Sequence, residues 1–134
     1  MRKTSLVLDF EPRNCMGRAV LRGLQRFGME DAATDLHAWY AKVGMTDAWN
    51  EPCGFAALTR LQANLPHVYA LPVKLHVFDE ANRRITFVGT EKRAARPLYL
   101  NLDEDHFELI TSMTGWLGRN YFCTRCHKGY SDKS

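Results

Sequence analysis

Apolar residues recur along this chain with two different periods, and the switch between them divides it into a helical first half and a strand-rich second half. Met16, Ala19, Val20, Leu24 and Phe27 fall three and four residues apart, with Arg18, Arg22 and Arg26 on the opposite side. The spacing predicts a helix starting at about Cys15 and ending at Gly28. A second helix is predicted over 31–43 on Ala32, Leu36, Tyr40 and Val43, with Gly44 stopping it. A third is predicted over 54–65 on Phe55, Leu58, Leu61 and Leu65, closed by Pro66. Ahead of these, residues 4–10 alternate well enough for a short strand, and residues 11–14 read as the turn leading into the first helix.

Beyond Pro66 the period drops to two. Val73, Leu75 and Val77 alternate with Lys74, His76 and Phe78. Residues 79–82 then form a turn into 84–88, which predicts a hairpin. Leu98, Leu100 and Leu102 alternate with Tyr99 and Asn101, and the acidic turn Asp103, Glu104, Asp105 leads into a last strand over 106–110. One strand, then helices, then a mostly antiparallel sheet places the chain in the α+β class. Residues 129–134 read as a frayed end.

Length and charge narrow the function classes. At 134 residues the chain supports one core, not two. Apolar runs of three or four residues exclude a transmembrane helix, and Asp9 and Glu11 interrupt the N-terminal apolar stretch before a signal-peptide core forms. A cytoplasmic, monomeric protein with no membrane partner is expected. The net charge of +3 is local: residues 1–114 hold 14 basic and 14 acidic side chains, so the excess lies in the last 20 residues. This divides the chain into a neutral body, 1–118, and a basic tail, 119–134.

Two features carry candidate chemistry. Cys15 is predicted at the first turn of a helix, where unpaired N–H groups and the helix dipole stabilise a thiolate. The same junction offers the backbone N–H groups of Arg13, Asn14 and Cys15 to an oxyanion, whereas Pro12 has none to give. Of five histidines, His106 has the context of a general base: it opens a strand after an exposed turn. Glu108 projects from the same face two residues on and is placed to orient it, while Phe107 and Leu109 turn inward. A small buried hydrophobe and a solvated histidine would leave the same marks in the sequence. Cys53 reads as an unremarkable core thiol. Cys123 and Cys126 form half of a zinc site, with partner ligands expected beyond Ser134, so no metal is assigned to the described candidate site.

The stretch from Pro12 to Ala19, with its Asn-Cys-x-x-Arg-Ala core, and the later Leu98-Tyr99-Leu100 followed by His106-Phe107 together resemble the ovarian-tumour (OTU) family of cysteine proteases. The resemblance covers residues 8–112 in order and spacing. It implies a papain-type fold with Cys15 as nucleophile, His106 as base and Glu108 as orienting group, and no cofactor. The family's usual Asp-Gly before Asn-Cys is Pro12-Arg13 here, and Glu108 stands where Asn or Asp is more usual. The partner the resemblance implies is ubiquitin or a ubiquitin-like modifier, cleaved after its C-terminal Gly-Gly. Asp103, Glu104 and Asp105 would then form an acidic rim for the basic residues preceding the glycines, and Trp116 would wall the channel. The chain looks similar to the compact viral and mobile-element versions. Residues 110–123 are also similar to parts of viral or transposon polyproteins that include a protein-primed DNA polymerase. The alternative function is therefore a non-enzymatic nucleic-acid or partner-binding module of such a polyprotein, although the neutral body argues against nucleic acid as a partner of the domain itself.

Overall fold

A computed structural model describes residues 6–7 and 13–117, together with the main chain of residues 121–123 and 128–130. Strand β1 (Leu6–Val7) precedes helices α1 (Cys15–Arg26), α2 (Leu36–Lys42) and α3 (Phe55–Asn64). Strands β2 (Val73–Asp79), β3 (Ile85–Val88), β4 (Arg96–Asp103) and β5 (His106–Ile110) follow, then the short helix α4 (Met113–Leu117). The five strands form one sheet in the order β1-β5-β4-β2-β3. The β1/β5, β4/β5 and β2/β3 pairings are antiparallel and only β2/β4 is parallel. The fold is α+β with a mostly antiparallel sheet.

Helix α1 owes its length to its ends. Residue 28 is Gly at φ +76, which lets the chain reverse. The Met29 N–H then reaches the Leu24 carbonyl at 2.9 Å and the Gly28 N–H the Gln25 carbonyl at 3.0 Å, a closure that satisfies the last carbonyls of the helix. The buried face of α1 includes Met16, Ala19, Val20 and Leu24, as the periodicity requires. It lies close on the sheet because residue 23 has no side chain: a Cβ there would stand 2.6 Å from a methyl of Leu98. Burying a leucine such as Leu24 completely stabilises the fold by about 1.5–3 kcal/mol.

Helix α2 is shorter than its periodicity suggests. The Asp31 carboxylate accepts the Ala33 N–H at 2.8 Å and holds that stretch in a turn. Asp35 then caps the helix by accepting the Ala38 N–H at 3.0 Å. Of the strand expected over 4–10, only Leu6 and Val7 lie among the described residues. Gly129 and Tyr130, expected in a frayed end, belong instead to β7 (Lys128–Tyr130), which pairs antiparallel with β6 (Tyr121–Cys123). Backbone hydrogen bonding, which composition does not report, holds them there.

The main core lies between α1, α2 and α3 and one face of the sheet, where Val73, Leu75, Val77, Leu98, Leu100, Phe107 and Leu109 point. A smaller cluster of Phe78, Ile110, Met113 and Trp116 occupies the other face. This layering brings the N-terminus of α1 to the start of β5, beside the β4–β5 turn.

Candidate functional site

Cys15 is the first residue of α1 and is 2% exposed. Its Sγ lies beside the main chain of β5 at His106. The Phe107 N–H donates to Sγ at 3.5 Å, and the Asp105 carbonyl oxygen stands 3.9 Å away. The thiol is thus held against the main chain of both neighbours of His106 in sequence, 90 residues along the chain, and no hydrogen bond between Sγ and the imidazole occurs among the described residues.

The His106 side chain projects from β5 on the face away from the main core, and Glu108 follows it there: one carboxylate oxygen is 4.0 Å from His106 Nε2. Both side chains are partly covered, at 28% and 13% exposed. Asn101, fully buried, stands across from Glu108 in the β4–β5 register and donates through Nδ2 to Glu80 at 3.0 Å. The sheet therefore carries a polar row of His106, Glu108, Asn101 and Glu80 on the side opposite its main apolar face. Asn101 is the polar position between Leu100 and Leu102 in the alternation, on the same face as Glu108, and that is the signal by which the sequence could have shown it.

Cys53 is the residue that sequence reasoning missed. It is not an unremarkable core thiol: the Cys15 thiol and the backbone N–H groups of Met16 and Cys15 at the start of α1 lie close enough to its sulfur to favour its charged form. Its position rests on a side-chain clamp. Asn14 donates through Nδ2 to Asn50 Oδ1 at 2.9 Å, and the Asn50 N–H donates back to Asn14 Oδ1 at 2.8 Å. This clamp draws the 50–54 loop over the helix start. Both asparagines are left-handed, at φ 59 and φ 64, a region asparagine enters more readily than most residues.

The electrostatics follow from this arrangement. Donation from Cys15, opposed by burial and aided by the Met16 and Cys15 amides, lowers the Cys53 thiol from an ordinary 9.0 to about 6. Cys15 moves the other way: its hydrogen bond to Cys53 and its burial raise it, against a lowering by the Phe107 N–H and the His106 charge. The helix start thus favours negative charge at Cys53, and the Cys15 N–H offered to an oxyanion lies against that sulfur. Arg13 and Asn14 form the turn entering the helix.

Glu104 and Asp105 form the exposed turn before β5, with Glu104 left-handed at φ 56, and Asp103, expected in that turn, is the exposed last residue of β4, paired with His106. Trp116 is corrected from channel wall to core. It has no exposed surface and sits on α4 with its ring 5.5 Å from that of Phe78. The Arg83 guanidinium lies 4.7 Å over the Trp116 ring and donates to its carbonyl. The side chains of Cys123 and Cys126 lie outside the described residues, and no cluster of three metal-ligating side chains occurs among the described ones. No helix among the described residues is long and apolar enough to cross a membrane. Compared with protein-family models, curated proteins and solved structures, the chain matches none.

Proposed function

We propose that the protein is a cysteine protease of the OTU type that cleaves the isopeptide bond after the C-terminal Gly-Gly of ubiquitin or a ubiquitin-like modifier. The observation that carries this reading is the placement of the Cys15 thiol, at the first turn of a buried helix, against the main chain on both sides of His106, with Glu108 4.0 Å from the imidazole. The modifier comes from the resemblance of the Cys15 and His106 motifs. In the reaction Cys15 attacks the carbonyl after the terminal glycine, and His106 takes the thiol proton and later delivers it to the leaving amine. Water then releases the acyl-enzyme. Glu108 stabilises the imidazolium and fixes the ring.

The described arrangement is a closed one. Turnover requires Cys53 to leave the Cys15 and Met16 amides so that they can hold the oxyanion, and requires the imidazole to close on Sγ. A groove of about 360 Å³ lined by Met45, Ala48, Pro52, Cys53, Gly54 and Ala57 runs along the 50–54 loop, whose displacement would uncover the start of α1.

The test is hydrolysis of ubiquitin bearing a fluorogenic C-terminal amide. Cys15→Ala and His106→Ala should each lose about a thousandfold or more in kcat/KM, and Glu108→Gln, which keeps an acceptor, should lose less. A Cys15→Ala protein that turns over at the wild-type rate would refute the assignment.

A further inference from the structure

We propose that Cys15 and Cys53 form a reversible redox couple, a disulfide that locks the candidate site shut when the protein meets a hydroperoxide. Three features bring the two together. Cys53 packs against the buried cluster that includes Cys15, and each thiol shifts the other at the start of α1. The reciprocal Asn14–Asn50 hydrogen bonds, beginning one residue before Cys15 and three before Cys53, hold the two segments side by side. Cys53 is partly exposed and helps to line the groove of about 360 Å³, whereas Cys15 is buried and does not.

That asymmetry sets the order of events. A hydroperoxide enters along the groove and meets Cys53 first, and Cys53 is also the sulfur whose negative charge two backbone N–H groups stabilise. The Cys53 thiolate attacks the peroxide oxygen. A sulfur–oxygen bond forms, the oxygen–oxygen bond breaks, and hydroxide, or alkoxide from an organic peroxide, leaves as Cys53 becomes a sulfenic acid. Cys15 gives its proton to the departing oxygen and its sulfur attacks Cys53, forming the disulfide and expelling the second oxygen as water. Two thiols lose two electrons and two protons, and the peroxide is reduced by the same two electrons. A dithiol reverses the change by thiol–disulfide exchange.

Sequence spacing gives no sign of this pair, since Cys15 and Cys53 lie 38 positions apart with no motif around Cys53. Under the protease reading, on which this consequence rests, oxidation removes the nucleophile without destroying it, because a disulfide protects Cys15 from the irreversible sulfinic and sulfonic acids.

The experiment maps peptides from the full chain, without reduction, after brief treatment with hydrogen peroxide. The expected product is a linked Cys15–Cys53 peptide lighter by two hydrogens, absent after dithiothreitol and absent in Cys53→Ser. Cys15→Ser should instead hold its oxidation as a Cys53 sulfenic acid captured by dimedone. Prolonged exposure of Cys53→Ser should add two or three oxygens to Cys15. Wild-type protein that keeps both thiols free, or links either one only to Cys123 or Cys126, overturns the couple. The readout is independent of ubiquitin. A linked peptide in a protein inert to ubiquitin would sink the protease reading alone, whereas peroxide-insensitive ubiquitin hydrolysis with no linked peptide would sink the couple alone.

Discussion

Replacing Asn14 tests the clamp on which the site geometry depends. Its side chain is buried, makes two hydrogen bonds to Asn50 at 2.9 and 2.8 Å, and sits on a left-handed residue at φ 59. Asn50 is exposed, so water can replace the lost partners on its side. Each bond is then worth about 1 kcal/mol net, and the pair about 2 kcal/mol. Asn14→Ala adds the cost of placing an ordinary side chain in the left-handed region, at least about 1 kcal/mol, for a total near 3 kcal/mol. Asn14→Gly loses the same two bonds but not the conformational term and should cost about 2 kcal/mol.

Urea unfolding at neutral pH measures both variants, with the expected order wild type, Gly, Ala from most to least stable. The clamp also restrains the 50–54 loop, so alkylation of Cys15 by iodoacetamide should speed up in both variants under conditions where the protein stays folded. Losses below about 0.5 kcal/mol in both variants would show that the clamp does not hold the loop. Equal losses in Ala and Gly would refute the left-handed term.

Other outcomes follow from the same geometry. Gly17→Ala should destabilise the protein even though alanine is the better helix former by about 1 kcal/mol. The new Cβ would stand 2.3 Å from the Tyr40 ring, which Trp39 and Trp49 hold edge-on, and overpacking costs about 1–3 kcal/mol; a neutral or stabilised variant in thermal unfolding would contradict this. The Cys53 thiol should alkylate with a pH midpoint near 6, rising in Cys15→Ala, which removes its largest stabilising contact. A wild-type midpoint near the ordinary 9.0 would argue against this lowering of the Cys53 thiol.

The Glu30 side chain is largely covered, which by itself raises its carboxyl. Lys42 at 2.5 Å, Tyr69 at 2.5 Å and Thr34 at 3.1 Å outweigh that and hold it below its ordinary 4.5. A lowered carboxyl adds stability above its unfolded value and loses it as pH falls through the folded one. The stability gap between wild type and Glu30→Gln should therefore be full at pH 7 and shrink on acidification below about 4, and a gap that does not change with pH would overturn the role given to that carboxylate.

How much of this was legible in the sequence depends on range. Helix α1, the β2–β3 hairpin and the β4–β5 hairpin were readable because each is set by periodicity and a local turn. His106 and Glu108 were readable as one polar face because alternation places them together. The start of α2 was misjudged because Asp31 and Asp35 use their side chains to hold turns that the apolar spacing does not register. The parallel β2–β4 pairing and the burial of Trp116 on the second face of the sheet are set by contacts between distant segments. Cys53 belongs to the same class: what brings it to the helix start is a pair of hydrogen bonds between Asn14 and Asn50, 36 residues apart. No period or short motif encodes that separation.

The central claim is that Cys15 is the nucleophile and Cys53 its gate. Ubiquitin carrying a C-terminal electrophile, incubated with reduced protein and followed by peptide mapping, tests it most directly. The account predicts a covalent adduct on Cys15 that forms in wild type and in Cys53→Ala and vanishes in Cys15→Ala. An adduct that maps to Cys53, that survives in Cys15→Ala, or that fails to form on the reduced wild-type protein would contradict it.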